Sequence, residues 1–276
     1  MRVAVVTIAH GRHRHLALQQ QGLGRSTRLP DEHVIVAMDD PSLEERVAPT
    51  SIARHVVHVP RVDGGLPLAQ ARNLGARCAL ARGATLLVFL DVDCIPSPDL
   101  VAAYEDAATD LATSRDLLCG PVTYLEPPPA EGYDLEMLPE LWSPHPARPA
   151  PPAGTVQRSS RDHELFWSLS FAVTAETWRV NGGFDESYVG YGGEDTDFAF
   201  TARAAGTAIG WVGSARAFHQ HHLVSAPPVE HVVDIVRNAS IFHDRWGVWP
   251  MTGWLDAFEE RGLVRRAAGG AYEVVA

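Results

Sequence analysis

The sequence predicts an α/β fold with a mostly parallel central sheet flanked by helices, in a single domain. Apolar segments of strand length alternate with helical stretches through the first 90 residues, which is typical of right-handed βαβ units. A chain of 276 residues with 46% hydrophobic content can bury one large core. Two of the predicted strands end in acidic residues, and parallel sheets bind ligands beyond the carboxyl ends of their strands.

The first half supplies most of the predicted sheet. We expect strands at 3–9, 33–38, 55–60 and 85–90, with helices at 16–21 and 67–80. The second strand ends at Asp39-Asp40-Pro41 and the fourth at Asp91-Val92-Asp93. Asp is a common turn residue, so Asp39 and Asp40 alone would only punctuate a strand end. Two acidic strand ends at one edge of a sheet favour a binding site there.

The second half has a different composition. Residues 126–154 are rich in proline and lack periodicity, which predicts either a lid or substrate loop or a plain surface insertion. Residues 164–173 are apolar and aromatic enough for a strand, and 227–245 predict a helix. Trp246, Trp249 and Trp254 are expected to cover a core edge. We therefore divide the chain into a first half that includes both acidic strand ends (1–125), a proline-rich loop (126–163), a second half (164–225) and a C-terminal helical segment (226–276).

Composition excludes several classes of partner. A formal charge of −11 makes a nucleic-acid backbone an unfavourable ligand, because such binding needs a basic surface. The three cysteines are widely spaced and form no CxxC pair, which argues against a disulfide framework or a zinc cluster. The N-terminal apolar run, 3–9, is too short for a signal peptide or a transmembrane segment. We expect a soluble, cytoplasmic protein.

Asp91 and Asp93 form a DxD motif. In an extended chain their side chains point to the same side, roughly 6–7 Å apart at the backbone. One Mg²⁺ or Mn²⁺ ion can bridge such carboxylates to a diphosphate and complete its shell with water. A phosphohydrolase also places DxD after a strand, but it would carry the motif near the first strand with a threonine where Ile95 stands.

A second acidic cluster follows a tyrosine framed by glycines, in the sequence GYGGEDTDF. Glu194, Asp195 and Asp197 occupy the first turn of a predicted helix that ends at Gly206. The helix dipole stabilises acids at that position without any chemistry. It does not account for the glycines around Tyr191, and Asp195 is a candidate general base.

Three histidines lie close together in the sequence AFHQHH. In an extended chain His219 and His221 share one face and His222 opposes them. Either this is a polar strand end or one of the histidines binds the metal that the DxD motif suggests.

Four segments in this order carry a resemblance: ARNLGA at 71–76, LDVDCIPSPDL at 90–100, NGGFDESYVGYGGEDTDF at 181–198 and AFHQHH at 217–222. With them, the chain resembles the GT-A glycosyltransferases, of the family-2 type with a β-1,4-galactosyltransferase-like C-terminal segment. The resemblance implies the Rossmann-like GT-A fold of nucleotide-diphospho-sugar transferases. It also implies metal-dependent, inverting transfer of a hexosyl group from a UDP-sugar to an acceptor hydroxyl.

The resemblance also implies roles for individual residues. The metal, Mn²⁺ or Mg²⁺, is held by Asp91, Asp93 and His219, with His221 as second choice for the histidine. Asp195 is the catalytic base, with Glu194 beside it. The donor is bound by Thr7, Ala9, Arg12, Asp39, Asp40, Arg72, Asn73, Asp91, Val92 and Asp93. The acceptor and the donor sugar contact Tyr191, Gly192, Gly193 and Glu194; Tyr191 stands where galactosyltransferases usually carry tryptophan.

Three alternatives stay open at this point. They are a retaining transferase, a nucleotidyltransferase of related fold and a non-catalytic carbohydrate-binding protein. A nucleotidyltransferase usually has a glycine-rich basic loop after the first strand, and 9–15 contains one glycine. The acceptor can be a lipid, a glycan, a peptide or a small metabolite, and the donor sugar is equally open.

Overall fold

The computed structural model describes residues 1–47, 50–63, 65–267 and 269–275. The strands are β1 (Val3–Ala9), β2 (Glu32–Met38), β3 (Ala53–Val59), β4 (Leu86–Leu90), β5 (Cys94–Pro96), β6 (Leu117–Cys119), β7 (Val122–Tyr124), β8 (Val156–Ser159), β9 (Ser170–Thr174), β10 (Ile209–Val212), β11 (Ala217–His219), β12 (Val264–Arg266) and β13 (Tyr272–Val274). The helices are α1 (His13–Gly24), α2 (Leu43–Arg46), α3 (Leu68–Ala81), α4 (Leu100–Thr109), α5 (Ala175–Asn181), α6 (Glu194–Ala204), α7 (Val232–Trp246) and α8 (Thr252–Glu260).

The central sheet has the strand order β3-β2-β1-β4-β9-β6-β10-β8 within the described residues. Strands β1 to β4 are parallel to one another, and β10 is parallel to β6. Strand β9 runs antiparallel between β4 and β6, and β8 is antiparallel to β10 at the edge. Every residue of β1, β2 and β4 is buried, as expected for parallel strands covered on both faces. The predicted fold class is confirmed.

Helices cover both faces of the sheet. Helix α3 contacts β1 and β2 closely, because Gly75 has no side chain: a Cβ there would lie 2.4 Å from Val6 Cγ1. The core at β4 and β9 is aromatic. Phe89 stacks on Phe171 with ring centroids 4.5 Å apart, and Phe184 stacks on Phe198 at 4.3 Å. This packing joins α6 to the face of the sheet.

The strand predicted at 164–173 is wrong over its first half. Asp162–Leu165 form a 3₁₀ turn, and β9 begins only at Ser170. The reason is the burial of Phe166, whose ring contacts the Phe171 ring edge-on at 5.1 Å. One continuous strand would separate residues five apart by roughly 17 Å. The chain must therefore fold back between these two residues.

The proline-rich segment packs against the sheet. Its described residues from 126 to 154 form one 3₁₀ turn, Leu138–Leu141, and no strand or α-helix, as its composition predicts. Arg148 extends from this segment into the interior, with its guanidinium 5.2 Å from the Trp167 ring centroid and 5.1 Å from that of Trp211. These cation–π contacts tie the segment to the sheet.

The remaining described strands form two small sheets. Strand β11 lies between β5 and β7, and β12 pairs with β13 as a hairpin that packs near α7 and α8. None of the helices in the described part of the chain combines the length and apolar character needed to cross a membrane.

Candidate active site

The candidate site lies where the carboxyl end of β4 meets the start of α6 and the end of β11. Asp91 follows β4 directly, and the turn to β5 is closed by the Cys94 N–H, which donates to Asp91 O at 2.8 Å. Strand β11 pairs antiparallel with β5, so that His219 stands opposite Cys94. The DxD motif and the histidine cluster are thus brought together by strand pairing.

Asp93, His219 and His222 form the cluster with the geometry of a metal site. One ligand atom from each residue lies within 4.8 Å of those of the other two. His222 Nε2 is 3.4 Å from Asp93 Oδ2, and the His219 and His222 rings lie 5.3 Å apart. A carboxylate with two imidazoles is a donor set that transition metals accept.

The second choice of histidine, His221, lies outside this cluster. The alternation that would pair it with His219 stops because β11 ends at His219. The buried Gln220 then turns the chain: its N–H donates to Asp93 O at 2.7 Å, and its side-chain amide donates to His15 O at 3.0 Å. His222 takes the place expected of His221. Among the described residues Asp91 also lies outside the cluster, because its carboxylate faces Arg72.

The surroundings of the cluster set its protonation. Burial lowers the pKa of His219 to about 4, so the ring is neutral near pH 7. Burial alone would raise the pKa of Asp93, but hydrogen bonds from His15 and His222 and the Arg12 charge hold that pKa well below its usual range. Asp93 is therefore ionised. The sequence reasoning missed His15, which hydrogen-bonds Asp93 Oδ1 through Nδ1.

A buried arginine connects the two acidic motifs. Arg72 on α3 donates from Nη1 to Glu194 Oε1 at 3.1 Å and from Nη2 to Asp91 Oδ1 at 3.3 Å. Its side chain is 5% exposed and lies over the Phe184 ring. The sequence pointed to Arg72 as a donor contact, whereas here it holds the end of β4 against the start of α6.

Glu194 and Asp195 share a low-dielectric position at the start of α6. Burial and the neighbouring Asp195 raise the pKa of Glu194 to about 7, against the lowering effect of Arg72. Burial also raises the pKa of Asp195, opposed by Arg72 and by the Thr196 N–H, which donates at 2.7 Å. Asp195 remains partly exposed. A partly exposed carboxylate with a raised pKa is suited to accept a proton.

Asp197, the third acid of this helix, has a structural position. It is 1% exposed, and it accepts hydrogen bonds from Arg245 Nη1 at 2.7 Å and from the Trp246 indole at 2.7 Å. Asp197 therefore fixes α6 against α7.

The loop before α6 depends on its glycines and on α7. Gly190, Gly192 and Gly193 have φ values of 72°, 90° and 92°, which disfavour any side chain. Asn238 Nδ2 donates to the carbonyls of Val189, Tyr191 and Gly192 at 3.0, 3.3 and 2.8 Å. The sequence reasoning missed Asn238; a polar residue on the apolar face of a helix was the available signal. Tyr191 is 40% exposed and stacks on His231 at 4.7 Å.

Some of the residues expected to bind the nucleoside of the donor are buried or already hydrogen-bonded within the protein. Thr7 and Ala9 are buried in β1, and the Thr7 hydroxyl donates to Gln19 at 3.0 Å, so neither of the two presents surface to a ligand. Asp40 accepts from the Gly11 N–H at 3.0 Å and contacts His13 Nε2 at 2.7 Å. Asp39 is more open, with its side chain 46% exposed beside Arg61.

Asn73, Val92 and Arg12 are also expected to contact the donor, and the structure gives each of them contacts within the protein. Asn73 uses its amide on the 181–186 turn: Nδ2 donates to Phe184 O at 2.8 Å, and Oδ1 accepts from Phe184 N at 2.9 Å. Val92 is 8% exposed and packs in the core. Arg12 Nε lies 3.8 Å from Asp93 Oδ1. Asn73 thus positions a loop, and Arg12 faces the metal cluster.

The chain is similar in sequence to curated glycosyltransferases. It is 30% identical to validoxylamine A glucosyltransferase of Streptomyces hygroscopicus subsp. limoneus over 218 residues, which cover 67% of this chain and 44% of that protein. It is 26% identical to the chondroitin synthase of Escherichia coli over 247 residues, covering 79% and 34%. The chain spans less than half the length of these relatives. No protein-family model matches it.

Solved structures with this fold include two glycosyltransferases. The structure of GalNAc-T7 with UDP, GalNAc and Mn²⁺ superposes with a TM-score of 0.60 at 17% identity, covering 95% of this chain and 57% of that one. Staphylococcus aureus TarS gives a TM-score of 0.54 at 12% identity, covering 87% and 39%. These likenesses concern the fold. The sequence relatives confirm the expected enzyme class, and the chain is similar to GT-A glycosyltransferases of the family-2 type.

Proposed function

We propose that the chain transfers a hexosyl group from a nucleotide-diphosphate sugar, with UDP-sugar favoured, to an acceptor hydroxyl. The reaction is metal-dependent and inverts the anomeric configuration. One observation carries this proposal: buried Arg72 bonds to both Asp91 and Glu194, so the DxD motif and the acids at the start of α6, which include Asp195, lie at the same sheet edge. The relatives support it through their names, among them a glucosyltransferase and a GalNAc-T7 structure with UDP and Mn²⁺.

In this proposal Asp93, His219 and His222 hold the metal. Two imidazoles and one carboxylate suit Mn²⁺ better than Mg²⁺, which prefers oxygen ligands. The neutral His219 ring has a lone pair for coordination, and Asp93 supplies negative charge. A metal held by these residues would supply positive charge beside the departing diphosphate. Arg12, 3.8 Å from Asp93, adds a cation on the same side.

Asp195 acts as general base on the acceptor hydroxyl. Its raised pKa favours proton uptake, and its partial exposure leaves it within reach of an acceptor. Glu194 is held by Arg72 and orients the start of α6. In this proposal the acceptor oxygen gives its proton to Asp195 and attacks the anomeric carbon from the face opposite the nucleotide, and the nucleoside diphosphate leaves. The product has the opposite anomeric configuration; a retained configuration would contradict this mechanism.

The exposed carboxylate of Asp39 is the better of the two acids at the end of β2 for binding the nucleoside. Asp40 is already bonded to Gly11 and His13. Tyr191, Gly192 and Gly193 border the donor sugar and the acceptor, because they precede Glu194 directly.

Calorimetric titration with UDP, GDP and dTDP, each with and without Mn²⁺, tests the donor site. We expect Mn²⁺-dependent binding of UDP to the wild type and its loss in Asp93→Ala. His222→Ala should weaken that binding at least about tenfold, because a metal ligand is lost. His221→Ala is the matched control and should stay within about twofold of the wild type.

Each arm of this titration can contradict a separate step. Nucleotide binding that is equal in wild type and Asp93→Ala would refute the metal site. A larger loss in His221→Ala than in His222→Ala would refute His222 as a ligand and support His221, the second choice from the sequence. Preferred binding of GDP or dTDP would refute UDP as carrier.

A further inference from the structure

A wide groove borders the start of α6, next to the candidate base Asp195. Its volume is about 690 Å³, and its lining includes Trp167, Trp246, Trp249 and Trp254 together with Thr196. This volume lies within the range of roughly 300–1,000 Å³ that is typical of ligand sites. All four tryptophans are partly exposed. The sequence predicted that the last three only cover a core edge.

The groove reaches the start of α6 through its lining residue Thr196. Thr196 directly follows Asp195, and its N–H donates to the Asp195 carboxylate. At the other side, the Trp254 ring lies 5.9 Å from that of Tyr191. A molecule that lies along the groove can therefore bring one hydroxyl to Asp195 while the rest of it contacts the tryptophans.

The tryptophan rings are held by other residues. The Trp246 indole donates to Asp197, and Trp249 stacks on His243 at 4.2 Å. Trp167 lies beside the buried Arg148, whose guanidinium nitrogens have no hydrogen-bond partner among the described residues. Rings held in this way offer flat surfaces at little entropic cost.

The lining combines flat aromatic faces with polar groups. Glu164, Arg203 and Thr252 stand beside the tryptophans. A pyranose ring has the same two kinds of surface, with C–H groups on its faces and hydroxyls around its edge. The electron-rich face of an indole attracts the polarised C–H groups, and the polar residues can bond hydroxyls. An alkyl chain offers those polar residues no hydrogen-bond partner and would use only the apolar part of the lining.

We infer that this groove binds a saccharide acceptor of two or more rings, whose terminal hydroxyl reaches Asp195. This inference rests on the proposed function and adds the substrate class to it. The acceptor side is thus assigned to α6, the end of α7, α8 and the 3₁₀ turn at 162–165, with Trp167 supported by the proline-rich segment.

Three variants of the full chain separate stacking from general hydrophobic contact. Trp254→Phe keeps an aromatic face, and Trp254→Leu keeps apolar volume without one. Gly253→Phe fills the groove without removing a contact, because a Cβ at Gly253 meets no atom within 4 Å. The probes are cellotetraose, chitotetraose and a chondroitin tetrasaccharide, with glucose and decanoate for comparison. Binding is measured by saturation-transfer NMR and calorimetry, and Mn²⁺-dependent UDP binding is measured in parallel.

We expect at least one tetrasaccharide to bind the wild type, and glucose to bind at least about tenfold more weakly. Trp254→Leu and Gly253→Phe should weaken tetrasaccharide binding about tenfold, whereas Trp254→Phe should stay within about threefold. UDP binding should be unchanged in all three variants.

The inference is overturned if no tetrasaccharide binds the wild type. It is also overturned if Trp254→Leu and Trp254→Phe bind the tetrasaccharide with equal affinity. Decanoate as the tighter ligand would indicate a lipid acceptor and overturn it as well. Failure of the proposed function is read separately, from the absence of Mn²⁺-dependent UDP binding in the wild type.

Discussion

Arg72 is the residue on which the geometry of the site depends most. A guanidinium that is 5% exposed is costly to bury, and two carboxylates offset that cost. Its planar fork bonds Asp91 and Glu194 simultaneously, which a lysine cannot do with the same geometry. One side chain on a third element, α3, therefore connects the end of β4, which leads into the DxD motif, to the start of α6, which carries the candidate base.

Asp195→Asn should lower the transfer rate about 10²- to 10⁴-fold, which is the usual contribution of a positioned general base. The amide cannot accept the acceptor proton, while its shape preserves the N-terminus of α6. Mn²⁺-dependent UDP binding should remain within about twofold of the wild type. Transfer kinetics with a UDP-sugar and calorimetry measure the two effects. A variant that keeps most of its transfer rate would remove Asp195 from the mechanism.

At the scale of elements, α7 determines the shape of the loop that leads to the base. Three carbonyls of residues 189–192 converge on the single amide group of Asn238. Gly190 approaches the same helix so closely that a Cβ would lie 2.1 Å from Asp234 Oδ2. The loop before α6 thus takes its conformation from a helix about 40 residues downstream.

Asn238→Asp should lower the free energy of unfolding by about 2–3 kcal/mol, because a carboxylate oxygen would face carbonyl oxygens that lose their donor. Chemical denaturation measures the change. Ser240→Ala on the same helix is the control; its hydroxyl only bonds Val236 O one turn back, and we expect a change below about 0.5 kcal/mol. An Asn238→Asp variant as stable as the control would show that the loop holds its shape alone.

The sequence predicts elements with strong local patterns and misses those defined by distant partners. Strand β1 was predicted with its observed bounds, and β2, β3, β4 and α3 within one or two residues. Strands β6 and β10 have three and four residues and no alternation, so nothing local marks them. The motifs gave Asp93, Asp195 and His219, but the positions of His222 and Asn238 depend on how the chain turns after β11 and packs through α7.

At the scale of the whole molecule, folding buries a histidine side chain that is neutral in the core. His33 on β2 is 1% exposed, with Nε2 3.0 Å from the Thr7 hydroxyl. Burial, assisted by the Arg54 charge, lowers its pKa from 6.5 to about 3. Between these two values the unfolded chain binds a proton that the folded chain excludes. Stability therefore falls as the pH decreases from about 6.5 towards 3.

His33→Gln should make unfolding less sensitive to acid. The dependence of the free energy of unfolding on pH should decrease by up to about 1.4 kcal/mol per pH unit below pH 6, because one proton no longer distinguishes the two states. Chemical denaturation at pH 7, 6 and 5 measures the slope. His58→Gln, at a position of β3 that is 44% exposed, is the control and should keep the wild-type slope. Equal slopes in wild type and His33→Gln would assign the acid sensitivity to other groups.

Strand β9 has a consequence for the order in which the molecule can be assembled. It is inserted between β4 and β6 although it follows both in the chain. During synthesis, the backbone groups of β4 on that side have no partner until Ser170–Thr174 has left the ribosome. The first 125 residues carry the DxD motif, yet they expose an open edge of the sheet. The first half, 1–125, is therefore not a unit that completes its own sheet.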